Sequence, residues 1–224
     1  MALPVLHLFA GILYFYALWY DQKYVEVNYV DGLDGYPFKN RVLLLTIWTL
    51  ALQALYMTTA FLNDVIGTNE VSPRKPPAIR QIKDIIFGLA YPSAIYVSIA
   101  FWGIYHVQKD LIYPEHIERA YPPWLNHVMH TITAVLMNIE MFTANIDYPS
   151  KTINLLIGQV YIISYLIWIF IVFAQTGLWP YAVLIHVNWP TRLVIMFGSF
   201  ILGNVFNVFG WTLNRKLACK AKSA

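Results

Sequence analysis

The sequence predicts an all-α fold, a polytopic bundle of about six transmembrane helices, on the basis of composition and of long charge-free stretches. Hydrophobic residues make up 58% of the 224 residues and charged residues 12%, against about 25% charged residues in an ordinary soluble domain. Mean hydropathy is +0.53. A soluble chain of this length could not cover its surface with so few charged side chains, so we expect it to lie in a bilayer. The net charge of +3 is small and the basic residues are scattered, which predicts no nucleic-acid partner.

Five stretches are long enough, at about 20 residues each, to cross the hydrocarbon core, and they contain no Asp, Glu, Lys or Arg: residues 2–20, 42–62, 85–105, 153–173 and 193–213. A sixth stretch of equal length, residues 124–142, contains His127, His130 and Glu140. Lipid cannot satisfy the hydrogen-bonding groups of the backbone, so each stretch is predicted to be a helix. We expect residues 1–224 to form a single integral membrane domain.

The polar stretches between these helices are predicted to be loops. Residues 21–41 contain the turn-forming pairs Asp31-Gly32 and Asp34-Gly35, and residues 63–84 contain prolines and four basic residues. Lys and Arg are more frequent on the side that holds both termini, nine against six. This bias favours a cytoplasmic location for both termini.

The C-terminal tail suggests a cellular location. Lys220 and Lys222 stand near the end of the chain, and their spacing resembles the dilysine signals that return membrane proteins to the endoplasmic reticulum. The alternative is that these lysines, with Arg215 and Lys216, anchor the last helix against anionic headgroups. We therefore expect an integral membrane protein of the endoplasmic reticulum, another endomembrane or the plasma membrane.

Ionisable side chains inside a membrane helix are candidates for function, since each one is costly to place there. His127 and His130 lie three residues apart and share a helix face, as a metal-binding pair would. No third ligand with a recognisable spacing accompanies them, and Cys219 is the only cysteine. We expect neither a metal nor a cofactor.

A hydroxyl and an imidazole are predicted to lie in the same shallow layer of the membrane. His130 lies six residues inside Trp124, or about 9 Å along a helix, and Thr46 lies four residues inside Val42, or about 6 Å. In the topology above both depths are counted from the non-cytoplasmic side, where the loop residue His186 also lies. Threonine is a weak nucleophile that needs a base within hydrogen-bond reach, and imidazole is the usual base.

Less specific interpretations stay open for the same residues. Asn126 or a tyrosine is a candidate to orient the imidazole ring, but threonines in membrane helices most often bond their own helix or a neighbouring one. His127 and His130 are equally compatible with packing near the interface. Glu140 stands near the cytoplasmic end of its helix, where it is expected to reach water and to have a structural role.

Several motifs resemble those of the androgen-induced gene 1 / androgen-dependent TFPI-regulating protein family. The most specific is the octamer Trp124-Leu125-Asn126-His127-Val128-Met129-His130-Thr131. The others occur in order along nearly the whole chain: Leu45-Thr46 with Leu50 and Gln53, Phe101-Trp102 with Ile104-Tyr105, Ile112-Tyr113-Pro114, Ile139-Glu140-Met141, Tyr148-Pro149-Ser150, and Leu184 with His186.

The resemblance implies an integral membrane hydrolase that cleaves fatty acid esters of hydroxy fatty acids to a fatty acid and a hydroxy fatty acid. By motif position it implies that Thr46 is the nucleophile and His130 the base, with Asn126, His127 and His186 as possible supporting residues. The expected partners are the lipid bilayer and the lipid ester. Two other classes stay open: a non-catalytic membrane regulator that acts through helix contacts, and a small-solute transporter, for which broken helices or paired intramembrane charges are expected.

Overall fold

The computed structural model describes residues 2–27, 32–33, 39–71 and 73–223, except for the side chains of residue 2 and residues 219–223. Every regular element within these residues is helical, which confirms the predicted all-α class. The α-helices are α1 (Ala2–Tyr24), α2 (Leu45–Ile66), α3 (Ala78–Gln108), α4 (Glu115–Ala120), α5 (Pro123–His127), α6 (Thr133–Thr143), α7 (Lys151–Thr176), α8 (Ala182–Ile185) and α9 (Trp189–Ser223).

Five of these helices are long and apolar enough to cross a membrane, namely α1, α2, α3, α7 and α9. The remaining predicted stretch, residues 124–142, is formed by shorter helical pieces, because a π-helical turn (Val128–Ile132) joins α5 to α6 without a break. The predicted count of about six is therefore approximate: five uninterrupted helices and one segment with a π turn. The wider π turn shifts the register of the side chains that follow it.

Helix α3 lies at the centre of the bundle and packs against α2, α6, α7 and α9, while α1 packs on α2 and α7 on α9. The main core joins α1, α2, α3 and the segment from α5 to α6. The outward faces of α7 and α9 are exposed and apolar, with Val160, Ile167, Val194 and Phe197 each more than half exposed. Apolar faces of this extent are what a lipid-facing surface requires.

Helix α3 begins earlier than the sequence suggested. Residues 78–84 were predicted to belong to a loop, but they form the first turns of α3, with Arg80 and Lys83 buried. The Arg80 Nε donates to the Asp84 carboxylate at 2.7 Å, one helical turn away, and the Lys83 ammonium lies 3.8 Å from the same carboxylate. The helix extends through these charges because they compensate one another.

Glu140 does not reach water, contrary to the expectation. Its side chain is fully buried; one oxygen accepts from Tyr56 at 2.6 Å and the other lies 2.9 Å from His7 Nε2. The His7 Nδ1 lies 2.6 Å from the Asp64 carboxylate. His7 thus bridges two buried acidic groups at the end of the bundle where α2 terminates, which supports the structural role expected for Glu140.

The opposite end of the bundle, where α2 begins, is held by a second buried ion pair. The Arg41 Nε donates to Asp21 at 2.7 Å, and the Tyr121 hydroxyl donates to the same carboxylate. Trp124 packs against Tyr20 near this end, with ring centroids 5.0 Å apart, as in an interfacial aromatic belt. Asp31, Asp34, Gly35 and the side chains of Lys220 and Lys222 lie outside the described residues.

Candidate functional site

The structure places Thr46 and His130 in contact. The Thr46 Oγ1 lies 3.3 Å from the His130 Nε2 across the interface between α2 and the π turn, although 84 residues separate them in the chain. This distance is at the long end of the range for a hydrogen bond. His130 is 8% exposed. A hydroxyl and an imidazole therefore meet in a largely buried position.

Asn126 fixes the orientation and the tautomer of His130. The His130 Nδ1 lies 2.8 Å from the Asn126 Oδ1 and 3.1 Å from the Asn126 backbone carbonyl oxygen. A backbone carbonyl only accepts, so Nδ1 carries the proton and Nε2 keeps a lone pair toward Thr46. The imidazole also stacks on the Phe101 ring, with centroids 3.7 Å apart and planes inclined by 12°. The Nε2 lone pair thus faces the Thr46 hydroxyl.

The π turn that carries His130 is supported from α3. A π turn disrupts the regular series of helical hydrogen bonds, and such turns are frequent at functional sites. Here the Trp102 indole N–H donates to the His130 carbonyl oxygen and to the Thr131 hydroxyl, each at 3.1 Å. Neighbouring residues of α3 therefore hold both the ring and the backbone of His130.

The first turn of α2, which carries Thr46, is anchored by aromatic side chains in place of a capping residue. The Leu45 backbone N–H donates to the Tyr181 hydroxyl at 2.9 Å and to the Tyr165 hydroxyl at 3.2 Å. The Val42 carbonyl oxygen accepts from the indoles of Trp48 and Trp168 at 2.8 and 2.9 Å. Burial raises the pKa of the loop residue Tyr181 to about 12, so its hydroxyl stays neutral near the site.

Two cavities meet at Thr46. The larger, of about 180 Å³, lies between α2, α3, α7 and α9, and the smaller, of about 70 Å³, lies against loop residues that include Pro114 and Pro180. Both are lined by Thr46, Phe101, Ile112 and Tyr181. The larger cavity follows one face of α3 from Leu89 to Ile104, about 22 Å at 1.5 Å per residue. The threonine hydroxyl is therefore accessible from two predominantly apolar spaces.

The other predicted site residues lie outside this contact. His127 is exposed; its ring stacks on Trp102, and its Nδ1 lies 3.1 Å from the Thr131 hydroxyl. His186 is exposed at the end of α8 and lines neither of the two cavities. Within the described part of the chain, no group of three or more His, Cys, Asp or Glu side chains is placed to hold a metal ion.

Apart from Asn126, the residues that support the pair were not identified as site residues from the sequence. Phe101 and Trp102 occur there only as a family motif, and Tyr165 and Tyr181 belong to a general excess of aromatic residues. The one local signal was the pairing of Phe101 and Trp102 within the motif. Their contacts with His130 arise from the packing of α3 against the π turn, which no local pattern in the sequence indicates.

Fold and site together define a polytopic helical membrane protein whose cavities converge on a threonine–histidine pair. The chain belongs to the FAR-17a/AIG1-like protein family, and the match to that family covers residues 3–215. It is 30% identical over 188 aligned residues to the human androgen-induced gene 1 protein. The alignment covers 77% of this chain and 79% of that relative. It is 28% identical over 230 aligned residues to the androgen-dependent TFPI-regulating protein of Mesocricetus auratus. That alignment covers 93% of this chain and 96% of the relative. No solved structure gives a significant match.

Proposed function

We propose that this protein is a membrane lipid ester hydrolase in which Thr46 is the nucleophile and His130 the general base. The observation that supports it most directly is the contact between the Thr46 Oγ1 and the His130 Nε2, with the His130 Nδ1 held by Asn126. A hydroxyl is activated by an adjacent base that is itself held in place by a third group. Asn126 takes the orienting position.

The reaction proceeds in two steps. As the Thr46 Oγ1 bonds to the ester carbonyl carbon, its proton passes to the His130 Nε2. The tetrahedral intermediate collapses, the bond to the alcohol oxygen breaks, and the same proton goes to the departing alcohol. Water then attacks the acyl-threonine and gives a proton to His130, which returns it to Thr46 as the fatty acid leaves. Asn126 stabilises the transient imidazolium through the Nδ1–H.

The preferred substrates in this proposal are fatty acid esters of hydroxy fatty acids, as the family resemblance implies. Such an ester has an apolar chain on each side of the scissile bond, and Thr46 lines two predominantly apolar cavities. The larger cavity runs along about 22 Å of helix, whereas the acyl chains of one leaflet span about 15 Å, half of the hydrocarbon core. It is long enough for a fatty acyl chain.

The test is a substrate panel with the purified protein in lipid nanodiscs. Fatty acid esters of hydroxy fatty acids, triacylglycerols and phospholipids are offered separately, and free fatty acid is measured by mass spectrometry. We expect hydrolysis of the first class by the wild type and by Thr59→Ala, whose hydroxyl bonds its own helix at Leu55. Failure of the wild type to release fatty acid from any ester would overturn the proposal in favour of a non-catalytic role.

A further inference from the structure

Two buried hydroxyls near the Thr46–His130 pair lie beside each other and have no other hydrogen-bond partner. Within the described part of the chain, five side-chain hydroxyls are buried without a partner, those of Tyr14, Thr49, Ser98, Tyr148 and Tyr161. Two of the five, Thr49 and Tyr161, line the larger cavity that contains Thr46. An unpaired buried hydroxyl is unfavourable, so its presence at a cavity wall calls for an explanation.

Thr49 differs from six other helical threonines in how its hydroxyl is used. Six threonines in the helices donate to the backbone carbonyl four residues earlier, at 2.7–3.1 Å: Thr58, Thr59, Thr133, Thr143, Thr176 and Thr212. The same bond is the ordinary choice for threonine in a helix. Thr49 is 1% exposed and does not make this bond; the hydroxyl beside it is that of Tyr161. The Thr49 hydroxyl is therefore not held by the backbone of its own helix.

Thr49 and Tyr161 line the same cavity as Thr46, where charge would develop during attack by Thr46. Thr49 is three residues after Thr46 on α2, and side chains with this spacing have Cβ atoms about 5–6 Å apart. The Tyr161 ring packs edge-on against Trp48, with centroids 6.1 Å apart, and its hydroxyl lies beside that of Thr49. An oxygen bound to the carbon under attack would lie between the nucleophile and these donors.

We propose that the Thr49 Oγ1 and the Tyr161 hydroxyl form the oxyanion hole for ester cleavage at Thr46. This inference rests on the proposed hydrolase function. When the Thr46 Oγ1 bonds to the carbonyl carbon, the π electron pair of the carbonyl moves onto its oxygen, which becomes an oxyanion. Each hydroxyl donates one hydrogen bond to that oxyanion. When the intermediate collapses, the electron pair returns to re-form the carbonyl, and both hydroxyls are released.

Neither hydroxyl is bonded to a backbone carbonyl in the resting protein, which suits these groups to the task. Donors aimed at a developing charge are most effective when they need not break other bonds first. Three other hydroxyls that line the larger cavity are already occupied: Tyr165 donates to the Leu43 carbonyl, Tyr181 contacts Tyr165, and Ser93 donates to the Leu89 carbonyl. Hydrogen bonds to the oxyanion are charge-assisted and stronger than those to a neutral ester, so the stabilisation favours the transition state.

The experiment compares Thr49→Val and Tyr161→Phe with a matched control, Tyr14→Phe. Tyr14 is also buried without a hydrogen-bond partner, but it lies outside both cavities. All three variants remove a buried hydroxyl that has no bond to the backbone, with little change of shape, so we expect each to keep or raise the thermal stability. We expect Thr49→Val and Tyr161→Phe to lower kcat about 100- to 1000-fold, the usual loss for one oxyanion donor, with KM unchanged. Tyr14→Phe keeps wild-type kcat.

Inhibitor binding separates a catalytic from a structural role. A trifluoromethyl ketone analogue of the substrate forms an oxyanion on the nucleophile, whereas an ether analogue does not. In Thr49→Val and Tyr161→Phe, affinity for the ketone falls in parallel with kcat/KM, and affinity for the ether is unchanged. Equal losses for both analogues, or a loss of stability that accounts for the lost activity, would overturn the oxyanion assignment. Thr49→Ser, which keeps the hydroxyl, restores activity.

A Thr46→Ala variant distinguishes failure of this inference from failure of the proposed function. If Thr46→Ala retains ester hydrolysis, the threonine mechanism is wrong and the oxyanion assignment falls with it. If Thr46→Ala is inactive while Thr49→Val and Tyr161→Phe keep wild-type kcat, the hydrolase proposal stands and the oxyanion assignment alone is wrong.

Discussion

Replacement of Asn126 by alanine tests how the orientation of His130 is maintained. The His130 Nδ1 has two acceptors, the Asn126 Oδ1 at 2.8 Å and the Asn126 backbone carbonyl oxygen at 3.1 Å. Alanine removes the first and leaves the second, so the tautomer with its lone pair on Nε2 remains favoured. Loss of one hydrogen bond costs about 1–1.5 kcal/mol. We therefore expect kcat to fall about tenfold.

The assay is steady-state hydrolysis of a fatty acid ester of a hydroxy fatty acid in nanodiscs, with thermal stability measured on the same samples. KM is expected to stay near the wild-type value, because the lost bond acts on the imidazole and not on the substrate. A fall in kcat as large as that of His130→Ala would refute the reasoning, since it would mean that the backbone carbonyl does not maintain the tautomer. No fall at all would remove Asn126 from the mechanism.

Three further predictions concern the base, the far end of the bundle and cofactors. His130→Ala is expected to abolish hydrolysis as fully as Thr46→Ala, and the double variant to be little worse, because members of one catalytic unit are not additive; kcat of the three variants checks this. His7→Ala leaves two buried acidic groups without their bridging partner. We therefore expect the unfolding free energy to fall by about 3–5 kcal/mol, which is measured as a lower Tm. An unchanged Tm would contradict this prediction. Exhaustive chelation is expected to leave kcat unchanged, and activity that disappears and returns with zinc would contradict a metal-free mechanism.

The membrane architecture was predictable because it depends on composition and length. Charge-free stretches of about 20 residues fix the positions of five long helices. The rise per residue of a helix then places Thr46 and His130 at similar depths without any tertiary information. The start of α3 was not predictable in this way, because Arg80 and Lys83 enter the helix only where Asp84 compensates their charge.

The details of the site depend on contacts between distant residues, and these were not predictable. Nothing in the local sequence marks residues 128–132 as a π turn, and the stacking of His130 on Phe101 requires α3 to pack beside it. Thr49 cannot be distinguished by sequence from Thr59, which bonds its own helix. The partner of Glu140 is His7, which lies 133 residues earlier in the chain.

The most direct test of the account is to identify the residue that an active-site-directed fluorophosphonate modifies. The purified wild-type protein is labelled, digested and sequenced by mass spectrometry, and the labelling is repeated with Thr46→Ala and Thr46→Ser. The account predicts a single adduct on Thr46 in the wild type, an adduct on the serine of Thr46→Ser, and no labelling of Thr46→Ala. An adduct on another residue, or labelling that persists in Thr46→Ala, would contradict the assignment of Thr46 as the nucleophile.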